Sequence, residues 1–203
     1  MPVLAHMTQL LHMDILYKLR SHKLWLVLFI ACFFIQVLHL QPELRFDRQL
    51  IGQWQVWRLI SGHLTHLNWG HLLLNMAGLI MIAVFFSAYR SNRYWVGALI
   101  FISLLCSVGL LMDNQLERYV GFSGVLHGLF IIGARWEMQR YKISGVVLLL
   151  IIIGKLLWEQ MFGALPGSES MAGGRVAINA HLYGAIGGAL YLLKETLNLG
   201  SNK

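Results

Sequence analysis

Long apolar runs separated by short polar segments fill most of the chain. A helix needs about 20 apolar residues to cross a bilayer, and six runs approach that length: Leu24–Leu40, Trp69–Ala88, Tyr94–Met112, Val120–Trp136, Ile143–Met161 and Ala177–Leu193. The pattern predicts an all-α membrane protein in which six transmembrane helices form a bundle. An even number of spans places both termini on the same side.

The charged residues predict the orientation of this bundle. Lys and Arg collect on the cytoplasmic side of membrane proteins. With a cytoplasmic N-terminus, the whole formal charge of +7 lies inside, because the acids and bases of the outer segments cancel. Both termini are therefore expected in the cytoplasm. A basic chain also suggests nucleic-acid binding, but basic clusters between apolar runs are typical of membrane topology, so lipid is the expected partner and nucleic acid is not.

The apolar runs also divide the chain. Residues 1–23 are expected to form a cytoplasmic or interfacial segment, residues 24–197 a six-helix domain, and residues 198–203 a cytoplasmic tail. No cleavable signal peptide is evident. Two outer loops are long: Gln41–Asn68, and Phe162–Val176, whose Gly-Ser and Gly-Gly pairs predict mobility.

Polar residues inside predicted spans mark function more often than chance. His71, Ser123 and His181 lie near the beginning of the second, fourth and sixth spans. In the predicted topology these three spans all start at the outer surface, so the three side chains share a shallow depth. Residues that only pack helices together would have no reason to agree in depth, and the agreement indicates one site.

Small residues predict how the fourth and sixth spans meet. Glycines four residues apart allow close approach of helix backbones, and both spans carry such pairs: Gly124 and Gly128, Gly184 and Gly188. Close packing would bring the Ser123 hydroxyl within reach of the His181 imidazole. An imidazole that takes the proton of a serine hydroxyl activates it as a nucleophile.

An acyl-transfer reaction also needs donors for its oxyanion. His71 and Asn75 are four residues apart, so they share one helix face and can both offer N–H groups. Ser123 is expected to open its helix, where backbone N–H groups lack intrahelical partners.

A metal or haem site is the alternative from a different class. Several histidines would contribute: His63, His66, His71, His127 and His181. No Cys, Asp or Glu joins them within the spans at ligand spacing, and the serine motif would stay unexplained. His63 by itself is expected to be a solvated loop residue, and Lys155 and Glu159, four residues apart, an ion pair at the outer end of the fifth span.

Four motifs together resemble the rhomboid intramembrane proteases. The motifs cover nearly the whole chain in the family's order: Trp57-Arg58, then His66, His71 and Asn75 in an H-x-x-x-x-H-x-x-x-N pattern, then Gly121-Phe122-Ser123-Gly124, then Ala180-His181-Leu182-Tyr183-Gly184 followed by Gly188.

The resemblance implies a role for each matched residue. Ser123 is similar to the family's nucleophile, His181 to its general base and acid, and His71 and Asn75 to its oxyanion-stabilising pair. The implied activity is hydrolysis of transmembrane proteins, without a metal or cofactor. The remaining matches imply supporting roles, namely a loop-ordering histidine at His66, an outer-loop element at Trp57 and Arg58, glycines beside the nucleophile at Gly121 and Gly124, and helix-packing glycines at Gly128, Gly184 and Gly188.

One position departs from the family pattern. His127 stands where the family commonly has a tyrosine that stacks on the catalytic histidine. It could stack, donate a hydrogen bond, titrate or only pack. The stretch Ser-Gly-Val-Leu-His-Gly and the minimal six-span length resemble the rhombosortase branch. That resemblance implies a bacterial inner membrane, a site facing the periplasm, and substrates with a C-terminal Gly-Gly-type (GlyGly-CTERM) anchor. A general rhomboid protease, or an inactive relative that only binds membrane segments, is the alternative.

Overall fold

The computed structural model describes residues 22–113 and 116–200, with side chains described to residue 197. Most of the predicted N-terminal segment 1–23, and residues 201–203 of the predicted tail 198–203, therefore lie outside the described residues.

The described chain is almost entirely helical. In chain order its main elements are α1 (His22–Val37), α2 (Gln41–Leu44), β1 (Phe46–Asp47), α3 (Arg48–Gly52), α4 (Arg58–Ser61), α5 (Trp69–Phe85), α6 (Asn92–Met112), β2 (Arg118–Tyr119), α7 (Ser123–Arg140), α8 (Lys142–Phe162), α9 (Ser168–Ala172) and α10 (Ile178–Gly200). Short 3₁₀ turns, Gly62–Leu64 and Ser87–Tyr89, precede α5 and α6.

Membrane-compatible helices are present. By length and composition, α6 and α8 can each cross a bilayer, with 21 residues apiece. Arg58–Leu64 and α5 together give a third candidate, broken by a 95° bend, and α1 is a shorter apolar helix. The protein is an integral membrane protein. The six-span topology and the sidedness of the termini stay predictions.

Helix α7 lies at the centre of the bundle. It packs against α5, α6, α8 and α10. Its Val125, Leu129 and Ile132 are fully buried, at a spacing that matches one helix face. Because α7 is enclosed, its first residue is held in place by the surrounding helices.

The segment Gln41–Asn68, which is predicted to lie outside and is called the outer segment below, is folded across one end of the bundle. The Arg58 guanidinium, which is 4% exposed, donates to the side-chain oxygen of Gln55 at 2.8 Å and to the backbone carbonyls of Pro42 and Arg45 at 3.0 and 2.9 Å. One buried cation thus joins three parts of the segment. Trp57, beside it, is half-exposed.

Two further contacts connect this segment to the helices. Strand β1 pairs antiparallel with β2, with Phe46 opposite Tyr119. Arg48 donates to the carbonyl oxygens of Leu110 and Leu111 at 2.8 and 2.7 Å, which places a cation at the C-terminal end of α6. The segment therefore positions the backbone that leads into α7.

The second long connection contains a short helix. Within Phe162–Val176, α9 lies between Gly167 and Gly173, both in the left-handed conformation, and packs against α5. The predicted mobility of this connection stays a prediction.

Candidate active site

Ser123 is the first residue of α7 because the chain turns sharply just before it. Gly121 has φ +123°, a conformation that favours glycine. The Tyr119 hydroxyl donates to the Gly121 carbonyl at 2.6 Å and holds this turn. A Cβ at Gly121 would lie 2.8 Å from Nε2 of His71, so there is also no room for a side chain at this position.

The glycine pairs lie where α7 and α10 touch. A Cβ on Gly184 would overlap the backbone carbonyl of Gly124, and a Cβ on Gly188 would overlap the carbonyl of Gly128. A Cβ on Gly124 would lie 2.8 Å from the carbonyl oxygen of Ala180, the residue before His181. The two backbones are therefore in direct contact beside the candidate catalytic residues.

This contact brings the serine and the histidine together. The Oγ of Ser123 lies 2.9 Å from Nε2 of His181, which is hydrogen-bond distance. His181 is 5% exposed. A nucleophile and a base in this geometry can transfer a proton directly.

Glu159 contacts the far side of the same imidazole, and sequence reasoning missed it. Its Oε2 lies 2.8 Å from Nδ1 of His181, and its Oε1 accepts from Lys155 Nζ at 2.6 Å. The Lys155–Glu159 ion pair was expected, but as a feature of the helix end. The signal that could have found the contact is periodicity, since Glu159 lies on the α8 face that buries Ile152 and Leu156.

His127 both stacks and donates. Its ring lies parallel to that of His181, with 4.3 Å between centroids and 21° between planes. Its Nδ1 lies 2.7 Å from the backbone carbonyl oxygen of Ser123. A carbonyl only accepts, so this nitrogen carries the proton. The His127 ring thus stacks on the His181 imidazole, which is the role that the resemblance implies for a tyrosine at this position in the family.

The candidate oxyanion donors lie on α5. Asn68 caps this helix, accepting from the His71 backbone N–H at 2.7 Å. His71 Nδ1 accepts from the Leu67 N–H at 3.5 Å, so the proton is on Nε2, the nitrogen beside Gly121. Asn75 is 3% exposed, and its Nδ2 has no hydrogen-bond partner within the described part of the chain. A buried amide without an acceptor is uncommon and calls for an explanation.

Two more histidines belong to the outer segment and are buried. His63 is 1% exposed and its Nε2 lies 3.0 Å from both the Ser103 carbonyl and the Ser107 hydroxyl, so the expectation of a solvated loop residue is wrong. These polar groups of α6 give the buried imidazole its hydrogen-bond partners. His66 is also buried and meets His71 edge-on, 5.1 Å between centroids. Burial lowers the pKa of His66 to about 3, so its imidazole is neutral near pH 7.

Among the residues that the structure describes, one group could hold a metal ion. Ligand atoms of His127, Glu159 and His181 lie within 4.8 Å of one another. Glu159 thus joins two of the histidines in space, although it comes from a different helix and shows no ligand spacing with them along the sequence. Two of the three residues already contact each other directly.

A cleft of about 370 Å³ leads to the pair. Ser123, His181, His71 and Asn75 all line it. Its other walls are mostly apolar and come from both sides: Leu74, Gly78 and Met81 of α5, and Leu148, Ile151 and Ile152 of α8. The cleft fits an apolar segment better than a polar one.

Comparison with known proteins identifies the family. The Rhomboid domain model matches residues 53–196, more than half of the chain. The chain belongs to the rhomboid family. RHOMBOID-like protein 5 of Arabidopsis thaliana is 32% identical over 152 residues, covering 70% of this chain and 45% of that protein. Uncharacterized proteins of Mycobacterium bovis and Mycobacterium tuberculosis are 28% identical over 151 residues, covering 68% of this chain and 59% of each.

The matched stretch of this rhomboid contains every candidate site residue, from Trp57 to Gly188. The chain spans about half the length of the curated relatives it matches. The family is one of intramembrane proteases that act on transmembrane proteins, so the family expected from the motifs is confirmed. The rhombosortase branch stays a prediction.

Proposed function

We propose that this rhomboid is an intramembrane serine endopeptidase whose nucleophile is Ser123 and whose base is His181. The observation that carries the proposal is the 2.9 Å contact between Ser123 Oγ and His181 Nε2. A serine hydroxyl beside an imidazole is the arrangement of an activated nucleophile, and both residues line the mostly apolar cleft.

In the proposed reaction, Nε2 of His181 takes the proton as Ser123 Oγ attacks the carbonyl carbon of the scissile bond. The same nitrogen then returns the proton to the leaving amine. The amine departs and leaves an acyl-enzyme ester on Ser123. Water attacks that ester with His181 again as base, which releases the second product and restores the serine.

The oxyanion is held by donors from α5. Asn75 Nδ2 and the protonated Nε2 of His71 line the cleft with Ser123. Asn75 Nδ2 has no acceptor among the described residues, which fits a donor whose acceptor forms during the reaction. One such donor contributes about 3–4 kcal/mol to the transition state.

The substrate is a membrane-anchored protein that enters between α5 and α8. Apolar residues such as Leu74 and Ile151 line that approach. We place the site at the outer, periplasmic face of a bacterial inner membrane, since the charge distribution favours cytoplasmic termini.

Within the family, a rhombosortase-like substrate is the finer proposal. The Ser123–His127 sequence resembles that branch, whose substrates carry Gly-Gly before a C-terminal anchor. Glycine disfavours helix by about 1 kcal/mol per residue relative to alanine, so a Gly-Gly pair helps the scissile backbone extend into the site. The test compares two reporters that differ only in Gly-Gly or Ala-Ala before the anchor. Preferential cleavage of the glycine form supports the branch, and equal cleavage contradicts it.

A metal protein is the second candidate, because His127, Glu159 and His181 cluster. Labelling with a fluorophosphonate probe, with and without a chelator, distinguishes a serine enzyme from a metal protein. A serine enzyme is labelled at Ser123 regardless of chelator, and Ser123→Ala removes the label. Absence of label at Ser123 contradicts the serine assignment, and function lost with chelator supports the metal.

A further inference from the structure

The structure places a buried carboxylate at the back of the candidate base. Glu159 is 2% exposed and its Oε2 lies 2.8 Å from Nδ1 of His181, whose Nε2 contacts Ser123 Oγ at 2.9 Å. We infer that Glu159 is the positioning residue of a Ser123–His181–Glu159 triad, drawn from α7, α10 and α8. The inference rests on the proposed function and adds a third residue to its pair.

The hydrogen-bonding capacity of each atom assigns the tautomer. A carboxylate only accepts, so the contact at 2.8 Å requires a proton on His181 Nδ1. The neutral imidazole then has a free lone pair on Nε2, the nitrogen that must receive the serine proton. Lys155 Nζ also lies 3.4 Å from Nδ1, but both are donors, so this approach is not a hydrogen bond.

The environment of Glu159 explains how a carboxylate can stay ionised there. Burying a lone charge costs several kcal/mol, and the cost falls when each oxygen has a partner. Oε1 has Lys155 Nζ at 2.6 Å and Oε2 has His181. An ion pair that served only the helix end would not require the carboxylate to reach across to α10. The burial and the direction of Glu159 therefore point to His181.

The triad requires no additional reactant. When Ser123 Oγ attacks, its proton moves to His181 Nε2 and the ring becomes an imidazolium. The Nδ1 proton stays on the ring and continues to donate to Glu159, which stays a carboxylate. The negative charge beside the ring stabilises the imidazolium until Nε2 gives its proton to the leaving amine.

Substitution by glutamine tests the charge at constant shape. In Glu159→Gln, the Lys155 ammonium keeps the amide carbonyl facing itself, because an ammonium cannot accept. The amide NH₂ then faces Nδ1 and forces that nitrogen to accept. The proton moves to Nε2, which can no longer take the serine proton. The loss typical of this tautomer change is about 10⁴-fold in rate, and roughly 10²-fold or more is expected here.

The experiment uses the purified full chain in detergent and a fluorophosphonate probe. The rate of labelling at saturating probe (kinact) and the concentration for half that rate (KI) are measured for wild type, Glu159→Gln, Glu159→Asp and Ser123→Ala. The expected result is that Glu159→Gln lowers kinact at least about 10²-fold with KI unchanged, that Glu159→Asp falls between it and wild type, and that Ser123→Ala gives no label.

The matched control is Glu117→Gln, the same change at an outer carboxylate whose side chain is 72% exposed. It should label like wild type. Thermal unfolding verifies that the variants are folded. If Glu159→Gln does not fold, Glu159→Asp tests the triad instead, because aspartate keeps the negative charge but withdraws the carboxylate from Nδ1 of His181.

The outcomes separate the two proposals. Wild-type kinact in folded Glu159→Gln, with Ser123 labelled, overturns the triad and leaves the serine protease standing. Wild-type kinact in a folded Glu159→Asp does the same where glutamine does not fold. Absence of labelling at Ser123 in the wild-type protein overturns both.

Discussion

Two sides of α7 differ in how tightly they are packed. Toward α10 the backbones touch at glycines, and a single added methyl group would overlap a carbonyl oxygen. Toward α5 and α8 a cleft of about 370 Å³ remains, lined mostly by apolar side chains. Proton transfer needs atoms fixed within a few tenths of an ångström, whereas substrate entry needs space. In the proposed reaction, the contact with α10, the closed side of α7, meets the first need, and the cleft, the open side of α7, meets the second.

The largest expected effect concerns the candidate oxyanion donors of α5, which line the cleft on the open side of α7. Asn75→Ala removes one of the two candidate oxyanion donors of α5 and should lower kcat about 10²–10³-fold with KM nearly unchanged. Steady-state cleavage of a transmembrane reporter measures the two constants. A loss confined to KM would mean that Asn75 binds substrate and does not stabilise the oxyanion.

The closed side should respond to one methyl group. Gly184→Ala forces α10 away from Gly124, so a displacement near 1 Å should lower activity roughly 10²-fold and stability by about 1–3 kcal/mol. Gly154→Ala on α8 is the matched control, because a Cβ there meets nothing within 4 Å. Reporter cleavage and thermal unfolding are the readouts. Equal behaviour of the two variants would refute the tight packing of α7 on α10.

The open side should respond to bulk through binding alone. Ile151→Trp narrows the cleft and should raise KM for a transmembrane reporter about tenfold, the equivalent of roughly 1.4 kcal/mol. Fluorophosphonate labelling of Ser123 should stay unchanged. Ile153→Trp, on the same helix but outside the cleft, is the control. Identical KM values in the two variants would argue against entry between α5 and α8.

The smallest effect at neutral pH concerns the outer segment. The pKa of buried His66 is about 3, against an ordinary value of 6.5. Between these values the unfolded chain binds a proton that the folded chain does not, so stability should fall as the pH drops from 6.5 to 3. Thermal unfolding across this range should show a shallower fall in His66→Gln. An identical pH dependence would exclude His66 as a source.

Local patterns predicted much of the architecture and part of the site. Apolar runs located the long helices, and glycine spacing predicted the approach of α7 and α10, because both are properties of one helix at a time. The sequence showed neither Glu159 beside His181 nor His63 against Ser103. Each of these contacts joins residues from separate helices. Whether such residues meet depends on how the helices pack, which no pattern within one helix shows. The folded character of Gln41–Asn68 likewise depends on long-range contacts of Arg48 and Arg58.

We propose that Ser123 and His181 together cut membrane-anchored proteins. The most direct measurement reconstitutes the purified chain in liposomes with a transmembrane reporter and follows the cleaved product. Wild type should cleave, while Ser123→Ala and His181→Ala, both folded by thermal unfolding, should show no detectable product. Cleavage by either variant at the wild-type rate would exclude that residue from the catalytic pair.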